Sequence, residues 1–304
     1  MKIAVIGGCG SVGSFISLLL SNIGIDVTVV DKRQLNCELK EISVINIGKS
    51  KLEVCGYDSL KNNYFDQIIF ATKAYDVKNA IEHLKENNID AETAISLQNG
   101  LGSAEELEKI YKNVAILIIY SGLQYLDKCK SIFHGGRSII IGCKNNCMDK
   151  LNYWERVNNN FKIKIVENIE PYRWMKLAIN SAINPLSVLI WNRNGKIIDK
   201  GEAFDLAINI VKETSYVAEK LNISLLEDPI KMLIDTIRET YNNCSSTLQD
   251  IYYGRKTELD YINLAIYNKA KEIGFEAKYN YFAYIAVNLI SENIKKFDYP
   301  CKES

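Results

Sequence analysis

A strand that runs into a glycine-rich turn and then into a helix opens the chain, and it constrains the fold more than any other feature. The segment KIAVIGGCGSVG places Gly8, Gly10 and Gly13 in a Gly-x-Gly-x-x-Gly pattern directly after an apolar run. Glycines allow such a turn to be tight and let the backbone approach a pyrophosphate, to which the helix N-terminus offers N–H donors. The pattern predicts a dinucleotide site, and the additional Gly7 leaves open which glycine takes which role. The predicted site residues are Gly8, Cys9, Gly10, Ser11, Val12 and Gly13.

Short apolar runs alternate with amphipathic segments as far as residue 167. The runs are rich in Ile and Val, which is typical of strands buried on both faces of a parallel sheet. Residues 41–55 predict a hairpin that turns at Gly48. The alternation predicts an α/β Rossmann-type domain with a parallel sheet over residues 1–167. The predicted strands are KIAVIG, DVTVVD, QIIFAT, TAISLQN, NVAILIIY, RSIIIG and KIKIVE, and the predicted helices cover 11–23, 75–87 and 103–111.

Long helical periodicities replace the strand pattern from Glu170 onward. The change in period predicts an all-helical domain over residues 168–304, which we expect to carry the substrate and the catalytic residues. Apolar faces of these helices can form a core or bury the interface of a homodimer, and the sequence does not distinguish the two. The predicted helices cover 172–190, 203–221, 229–242, 257–273 and 279–296.

The balance of charges excludes several classes of partner. The chain has 304 residues, and its 37 basic and 37 acidic side chains cancel. The sequence also shows neither the basic stripe that tracks phosphates in a nucleic-acid-binding protein nor a tail of like charges. No apolar run approaches the roughly 20 residues that span a bilayer. The first ten residues form a predicted strand rather than a secretory signal, so we expect a cytoplasmic protein with no membrane or nucleic-acid partner.

The cysteines and histidines do not form a metal-binding pattern. Of the eight cysteines only Cys143 and Cys147 are close in sequence, and neither a second pair nor a histidine lies near them. We therefore expect no metal site and free, reduced thiols. His83 and His134 are the only histidines, which disfavours a mechanism that uses a histidine base.

Charged residues of both signs follow the second predicted strand. Asp31 lies 18 positions after Gly13, where a carboxylate commonly binds the adenosine ribose and favours NAD(H). Lys32 and Arg33 follow it directly, and cations at this place favour NADP(H). The choice between the two cofactors stays open at this point.

Two further strand ends carry polar side chains that a cofactor can contact. Lys73 follows a buried strand in FATKAYD, and Asn99 precedes a glycine turn in SLQNGLG. Ligands of doubly wound sheets bind at the carboxyl ends of the strands. Each residue alone fits an ordinary loop, but together they predict contacts to the ribose and nicotinamide of the cofactor.

A polar stripe marks an otherwise apolar predicted helix in the second domain. Lys176, Asn180 and Asn184 recur every four residues in WMKLAINSAIN, which places them on one helix face. An ammonium group is costly to bury without a partner, so the stripe indicates a cleft with polar walls. The structural alternative is a lysine whose ammonium reaches solvent, with two amides that are satisfied inside a helical core.

A second polar group of residues occurs near residue 250. Ser246, Asp250 and Glu258 lie in CSSTLQDIYYGRKTELDYIN, before or at the start of an apolar helical pattern. Helix capping and surface charge explain such residues without a function. A buried Lys176 needs an anion, however, and Glu258 is a sensible partner.

These motifs together resemble the ketopantoate reductase (2-dehydropantoate 2-reductase) family over nearly the full length of the chain. The resemblance includes the glycine turn, ATKAYD, LQNG, the segment from Lys176 to WNRNG, and SSTLQDIYYGRKTELDYIN. It implies that Lys176 is the acid and that Glu258 is its partner, close to substrate and cofactor. It also implies a set of substrate-binding residues, namely Asn99, Asn180, Asn184, Asn194 and Ser246.

The resemblance implies an oxidoreductase that reduces 2-dehydropantoate to pantoate, for pantothenate synthesis, by hydride transfer from a nicotinamide cofactor. NADP(H) is the expected cofactor, and Asp31 keeps NAD(H) open. The family often has arginine where Lys32 stands, and this departure leaves the choice between the two cofactors undecided. Two alternatives remain, namely a reductase of another branched 2-oxo acid and a nucleotide-binding regulator without turnover. The expected partners are thus a small 2-oxo acid and, as an open alternative, a second copy of the chain.

Overall fold

The computed structural model describes residues 1–145, 147–157, 161–292 and 298–301, and divides the chain into two compact units. Unit 1 contains Met1–Gln98 and Gly102–Ile169. Unit 2 contains the short segment Asn99–Leu101 and the chain from Glu170 onward. The chain therefore passes into unit 2 and back again at the predicted LQNG motif.

Unit 1 is built on one sheet, which has nine strands in the described residues, in the order β3-β4-β2-β1-β5-β6-β7-β8-β9. Neighbouring strands are parallel except for the hairpins β3–β4 and β7–β8. The strands are β1 (Lys2–Ile6), β2 (Asp26–Val30), β3 (Glu38–Ile45), β4 (Gly48–Cys55), β5 (Tyr64–Phe70), β6 (Asp90–Ser96), β7 (Asn113–Asp127), β8 (Lys130–Cys143) and β9 (Lys162–Val166).

The predicted Rossmann-type topology is confirmed in unit 1. Residues such as Ile3, Val5 and Ile69 are fully buried, as expected when helices cover a parallel sheet. The hairpin predicted for residues 41–55 is confirmed as β3 and β4, with Val44 opposite Gly48. Its turn lies at Asn46 and Ile47, and Gly48, where the turn was predicted, is the first residue of β4. The helices of unit 1 are α1 (Ser11–Asn22), α2 (Val77–Glu86) and α3 (Ser103–Glu108).

One pairing in this sheet has no counterpart in the sequence patterns. The hairpin strands β7 and β8 are the longest of unit 1, and the first residues of β8 also pair in parallel with β3. Ser43 lies opposite Lys130 in this pairing. The tip of the β7–β8 hairpin, Lys128 and Cys129, is thereby held near the first strands of the sheet.

Unit 2 is helical in its described part. Its longest helices, α4 and α6, pack their apolar faces together in a core that includes Ala178, Ala182 and Ile210. A separate cluster joins Leu101 to Trp174 and Ile262. The helices are α4 (Glu170–Leu189), α5 (Lys196–Asp199), α6 (Gly201–Lys220), α7 (Pro229–Glu239), α8 (Ser246–Tyr252), α9 (Asn263–Glu272) and α10 (Lys278–Ser291).

The helix predicted for residues 257–273 is too long at its start. Helix α9 begins at Asn263, and residues 258–262 form a turn instead. The turn has its own hydrogen bonds, because the N–H of Tyr261 donates to the carbonyl of Glu258 at 2.9 Å. The short helices α5 and α8 were not predicted. The predicted helix 279–296 corresponds to α10, and its residues 293–296 lie outside the described part of the chain.

The expectation of free thiols is wrong for this structure. Each of the eight cysteines, all of which lie in the described ranges, takes part in a disulfide. Sequence spacing gave no sign of two of these bridges, because their partners lie 120 and 57 positions apart. The pairs are Cys9–Cys129, Cys37–Cys55, Cys143–Cys147 and Cys244–Cys301.

Among the described residues, Cys37, Glu53 and Cys55 form the one group whose ligand atoms are close enough for a metal ion, and the disulfide engages both of its sulfur atoms. In the same part of the chain no helix has both the length and the apolar character that crossing a membrane requires.

Candidate active site

The glycine turn between β1 and α1 has the shape that a pyrophosphate-binding turn needs. Gly7 adopts a φ of +73°, and its N–H donates to the carbonyl of Val30 at 2.9 Å. A Cβ on Gly8 would lie 2.7 Å from the side chain of Val29, and one on Gly13 would lie 2.6 Å from the Cα of Gly8. Gly7 and Gly8 therefore make the tight turn, and Gly13 lets the helix pack closely on it.

The first turn of α1 can receive the phosphates of a dinucleotide. Gly10 is the N-cap of this 12-residue helix and, having no side chain, provides no capping group for the first N–H donors. No acidic side chain lies in the first turn, so the positive end of the helix dipole is left for an external anion. The donors of Ser11, Val12 and Gly13 thus fit the predicted role.

The carboxyl end of β5 adjoins this turn in the sheet, and the end of β6 lies next to that of β5. Thr72 follows β5, and a Cβ on Gly7 would lie 2.9 Å from its side chain. The amide of Gln98 donates to the carbonyls of Phe70 at 2.7 Å and of Thr72 at 2.9 Å, which fixes the loop that leads to Lys73. The hydroxyl of Thr72 is buried and has no hydrogen-bond partner among the described residues. It is a polar atom that a ligand can satisfy.

Asp31 lies at the end of β2, where the sequence predicts it, but it is surrounded by cations. Its Oδ1 accepts hydrogen bonds from the N–H of Arg33 at 2.9 Å and from Arg33 Nε at 3.2 Å. Its Oδ2 accepts from Arg33 Nη2 at 3.1 Å and lies 3.2 Å from Lys128 Nζ. Burial alone would raise the pKa of Asp31, but these partners hold it below its usual value. Lys32 lies 3.6 Å from Asp76 instead.

Asn99 belongs to unit 2, and its neighbours in the chain are firmly held there. The N–H of Leu101 donates to the carbonyl of Tyr261 at 2.8 Å, and Arg173 Nε donates to the carbonyl of Gly100 at 3.2 Å. Gly100 has a φ of +90°, and a Cβ there would collide with the carbonyl of Tyr261. The glycine after Asn99 is therefore required by this close approach.

Lys176 lies on the same helix as Arg173, one turn further on, and the structure brings it close to Glu258. Burial lowers the pKa of Lys176 to about 8, and the negative charge of Glu258 opposes the shift. The side chain of Glu258 is buried. Because Glu258 and Tyr261 belong to one turn, the Asn99–Leu101 segment, Lys176 and Glu258 converge in unit 2.

The amides of the polar stripe follow Lys176 along α4. Asn180 is half-buried, whereas Asn184 is buried, and its Nδ2 has no hydrogen-bond partner among the described residues. A buried amide without a partner costs on the order of 1–3 kcal/mol, so a ligand that supplies an acceptor there gains affinity. The structural alternative, in which both amides are satisfied within the core, does not hold for Asn184.

The two serines at the start of α8 have different environments. Ser245 is buried, caps the helix by accepting from the N–H of Leu248 at 3.1 Å, and lies 2.6 Å from the hydroxyl of Ser187 on α4. Ser246, which the sequence predicts as a substrate contact, is exposed in this structure. The polar contact to α4 is made by Ser245.

Asn194 lies beyond the end of α4, near residues 240–243. Its N–H donates to the carbonyl of Asn243 at 2.9 Å, and its amide donates to Thr240 Oγ1 at 3.1 Å. Its Oδ1 is buried and has no hydrogen-bond partner in the described ranges. The Oδ1 of Asn194 can therefore accept a hydrogen bond from a ligand.

Several residues of this site were not predicted. Arg173, Gln98 and Lys128 hold other groups in place. Gln98 lies in the LQNG motif, but only Asn99 of that motif was predicted as a site residue, and no motif indicates Arg173 or Lys128. Arg173 had the clearest signal, because a buried arginine in an apolar helix needs acceptors such as the carbonyl of Gly100. Lys128 contacts a residue almost a hundred positions away, which no local pattern predicts.

Comparison with known proteins identifies the family of the chain. Residues 3–146 match the family model described as "Ketopantoate reductase PanE/ApbA", and residues 168–291 match "Ketopantoate reductase PanE/ApbA C terminal". The 2-dehydropantoate 2-reductase of Pyrococcus horikoshii is 30% identical over 294 residues, which cover 94% of this chain and 96% of the relative. The enzyme of that name from Pyrobaculum aerophilum is 30% identical and covers 90% of this chain and 92% of its own.

Solved structures share the fold over almost the whole chain. A PanE/ApbA family ketopantoate reductase from Ralstonia eutropha superposes with a TM-score of 0.82 at 20% identity, covering 96% of this chain and 99% of its own. A D-mandelate dehydrogenase in ternary complex with NADH and anilino(oxo)acetate has a TM-score of 0.83 at 22% identity, covering 97% and 99%. Likenesses at this level of identity show the fold alone. The two family models, which together match most of the chain, and the relatives at 30% identity show that the chain belongs to the ketopantoate reductase family of oxidoreductases.

Proposed function

We propose that the chain reduces 2-dehydropantoate to pantoate, a step of pantothenate synthesis, with a nicotinamide cofactor as hydride donor. The observation that supports this most is the convergence of Lys176, Glu258 and the Asn99 segment in unit 2, with the pKa of Lys176 at about 8. An amine with such a pKa exists in both protonation states near neutral pH, which a reversible acid and base requires. Relatives at 30% identity carry the name of this activity.

Lys176 is the proton donor in this proposal. Its ammonium donates a hydrogen bond to the ketone oxygen of the substrate, polarises the carbonyl bond, and gives up a proton from Nζ as the oxygen becomes a hydroxyl. A bound reduced nicotinamide supplies the hydride to the carbonyl carbon when it is present. Burial keeps Lys176 acidic enough to release the proton, and in the reverse direction the neutral amine accepts it.

Glu258 and the amides complete the site. Glu258 stabilises the ammonium form of Lys176, because a buried positive charge without a counter-charge is costly. Asn180 and Asn184 on α4 offer donors to the substrate carboxylate and hydroxyl without adding a competing charge. We assign further substrate contacts to Asn99, to Asn194 through its unsatisfied Oδ1, and to the serines at the start of α8. Of these two serines, Ser246 was predicted and Ser245 is the buried one.

We assign the cofactor to unit 1 and the substrate residues to unit 2. The glycine turn, the α1 N-terminus and the loop of Lys73 together fit a dinucleotide. Gly7, Gly8 and Gly13 stand where a Cβ would come too close to neighbouring atoms, as a tight pyrophosphate-binding turn requires. NADP(H) is the proposed form. The carboxylate of Asp31 already accepts from Arg33 and Lys128, which leaves positive charge rather than a free acceptor at the ribose.

Two alternative functions are not favoured. A reductase of another branched 2-oxo acid would use the same residues, but the relatives at 30% identity are 2-dehydropantoate 2-reductases, and D-mandelate dehydrogenase is similar in fold alone. A regulator without turnover would have no need for a buried amine and its carboxylate partner, which Lys176 and Glu258 provide.

The decisive experiment follows the absorbance of the reduced cofactor with purified protein and 2-dehydropantoate, with NADPH and NADH in parallel. We expect oxidation of both cofactors to depend on the oxo acid, with the higher kcat/KM for NADPH. A panel of 2-oxo acids, including phenylglyoxylate as the bulky competitor, serves as the control for the substrate. Absence of turnover with 2-dehydropantoate, together with turnover of another oxo acid, would contradict the proposal.

A homodimer and a cytoplasmic location complete the proposal. One solved relative, from Staphylococcus aureus, is described as a dimeric ketopantoate reductase. Helix α10 exposes Phe282, Ile285 and Leu289 at helical spacing, and an apolar stripe of this kind is suited to a second copy. Sedimentation equilibrium tests the dimer, and a monomer would contradict it.

The proposed location is the cytoplasm, which supplies reduced nicotinamide cofactor. Cell fractionation tests this statement, and an exported protein would contradict it.

A further inference from the structure

The tip of the β7–β8 hairpin, Lys128 and Cys129, lies beside the strand end that carries Asp31. Lys128 Nζ is 3.2 Å from Asp31 Oδ2. The carbonyl of Cys129 accepts from the N–H of Ser43 on β3 at 2.9 Å, so the tip is held in the sheet. Only the first residues of β7 pair in parallel with β6, and the residues before Lys128 pair with β8 in the antiparallel hairpin. The topology rules for the ends of parallel strands therefore do not indicate the tip as a dinucleotide contact.

The carboxylate of Asp31 has no capacity left for a ribose hydroxyl. Two carboxylate oxygens offer about four acceptor positions. The backbone N–H and Nε of Arg33 engage Oδ1, and Nη2 of Arg33 and Nζ of Lys128 engage Oδ2. An NAD-type contact, in which this carboxylate accepts from the ribose, would have to displace one of these cations.

The two cations keep donors for another anion. An ammonium has three donors, and Lys128 directs one toward Asp31. Arg33 uses Nε and Nη2 toward the same carboxylate, while its side chain is 62% exposed. Asp31 compensates one of the two positive charges, so the pair carries a net positive charge toward solvent. A phosphomonoester dianion suits such a pair, because charge-assisted hydrogen bonds to phosphate are strong.

Two neighbouring lysines are already paired with other carboxylates, and the carboxylate of Asp127 accepts from the backbone N–H of Lys128 at 2.7 Å. Lys32 lies 3.6 Å from Asp76, and Lys40 lies 3.1 Å from Glu38. Glu38 also interacts with Lys128 through its charge, which weakens but does not cancel the positive field of the tip. Arg33 and Lys128 are consequently the cations that Asp31 orients.

The tip is also joined to the glycine turn. Cys129 forms a disulfide with Cys9, which stands between Gly8 and Gly10, and its N–H donates to the carbonyl of Cys9 at 3.1 Å. Both cysteines are buried. Lys128 is the residue next to this bridge, so the bridge fixes its distance from the turn that receives the pyrophosphate.

We propose that Lys128 determines the specificity of the cofactor site: Lys128 and Arg33 together bind the 2′-phosphate of NADP(H). Asp31 orients the two cations and does not accept from the ribose. Cys9 and Cys129 are positioning residues that keep Lys128 at the glycine turn. This inference rests on the proposed function, since it assumes a nicotinamide dinucleotide on that turn.

The test separates the phosphate from the rest of the nucleotide. Titration calorimetry with 2′,5′-ADP and with 5′-AMP, under non-reducing conditions, compares the wild-type protein with Lys128→Gln. We expect the Kd for 2′,5′-ADP to rise about tenfold, the value of one charge-assisted hydrogen bond, and the Kd for 5′-AMP to stay within about twofold. Lys130→Gln is the matched control, because it removes an exposed charge from the same hairpin, and it should leave both Kd values unchanged.

The results against the inference are distinct from those against the proposed function. An unchanged Kd of Lys128→Gln for 2′,5′-ADP, or an equal loss of both nucleotides, would overturn the role of Lys128 alone. A wild-type protein that binds neither nucleotide would overturn the proposed function and this inference together.

A second comparison tests the bridge. Cys129→Ala, or treatment of the wild-type protein with dithiothreitol, should weaken binding of 2′,5′-ADP and leave that of 5′-AMP within about twofold. In the double variant, Cys129→Ala should cause no loss of 2′,5′-ADP affinity beyond that of Lys128→Gln, because the effects of substitutions at coupled residues do not add. If Cys129→Ala binds 2′,5′-ADP as the wild type does, or if the two losses simply add, the positioning role is wrong.

Discussion

At the scale of single residues, the chemistry depends on the amine of Lys176, whose side chain is half-buried and whose pKa is lowered by desolvation. We expect Lys176→Met to lower kcat for 2-dehydropantoate by about 10²–10⁴, which is the usual contribution of a positioned general acid. Methionine keeps the packing volume and removes the proton. Binding of NADPH, followed by its fluorescence, should persist, because the predicted cofactor contacts of unit 1 are untouched. Lys231→Met, on the exposed face of α7, is the matched control and should keep full activity; a Lys176→Met enzyme with unchanged kcat would contradict the role of the amine.

The pKa of Lys176, at about 8, gives this residue a pH signature. Reduction needs the ammonium form, so its kcat/KM should fall as pH rises through about 8. Oxidation of pantoate needs the neutral amine, so its kcat/KM should rise over the same range. Glu258 raises the pKa, and Glu258→Gln should therefore move the limb of the reduction profile to lower pH. Profiles in both directions for the two proteins are the measurement, and a limb that stays in place or moves to higher pH would contradict the pairing.

At the scale of elements, the strand–turn–helix unit β1–α1 depends on the absence of a side chain at Gly13. A Cβ there would lie 2.6 Å from the Cα of Gly8 and would collide with the carbonyl of Gly7. We expect Gly13→Ala to lower the free energy of unfolding by about 1–3 kcal/mol, as overpacking does, and to weaken cofactor binding. Urea unfolding and NADPH titration measure the two effects. Gly201→Ala, where a Cβ meets open space at the start of α6, should be neutral or slightly stabilising, and equal effects of both variants would contradict the importance of close packing at Gly13.

Elements with strong local patterns were predictable, and elements set by distant contacts were not. The strand β1 and the hairpin at Gly48 follow from apolar runs and turn residues, and both were predicted correctly. The turn at 258–262 was predicted as helix because its apolar residues have helical spacing. In the structure its hydrogen bonds close a turn instead, and the carbonyl of Tyr261 accepts from the N–H of Leu101. The pairing of β3 with β8 joins residues more than 80 positions apart, and short-range periodicity carries no information about it.

In the candidate site, too, residues with a local sequence signal were predictable and contacts between distant residues were not. Lys176 and Glu258 were predicted because a buried ammonium needs an anion, and their interaction is present in the structure. Asn184 was predicted from helical spacing alone. That its Nδ2 has no partner among the described residues can be seen only in the folded structure. The sequence could not predict which cations pair with Asp31, because Lys128 is brought to Asp31 by the tip of the distant β7–β8 hairpin.

At the scale of the whole molecule, the two units have separate sources of stability. The core around Phe15, Ile69 and Trp154 is built from residues of unit 1, and the core around Ala182 and Ile210 is built from residues of unit 2. We therefore expect calorimetry to resolve two unfolding transitions under non-reducing conditions. A ligand stabilises the unit that binds it, by about 2.7 kcal/mol at a hundredfold excess over Kd.

NADPH should accordingly raise the Tm of one transition and leave the other in place. For a unit the size of unit 1 the expected rise is roughly 5–10 °C at a hundredfold excess over Kd. NADH at the same concentration should give a smaller rise, because it lacks the 2′-phosphate that the positive pair of Arg33 and Lys128 attracts. Gly13→Ala identifies the transition, since it should lower the Tm of unit 1 and reduce the effect of NADPH on the same peak. If NADPH moves both transitions equally, or if Gly13→Ala lowers the peak that NADPH does not move, the assignment of the dinucleotide to unit 1 is wrong.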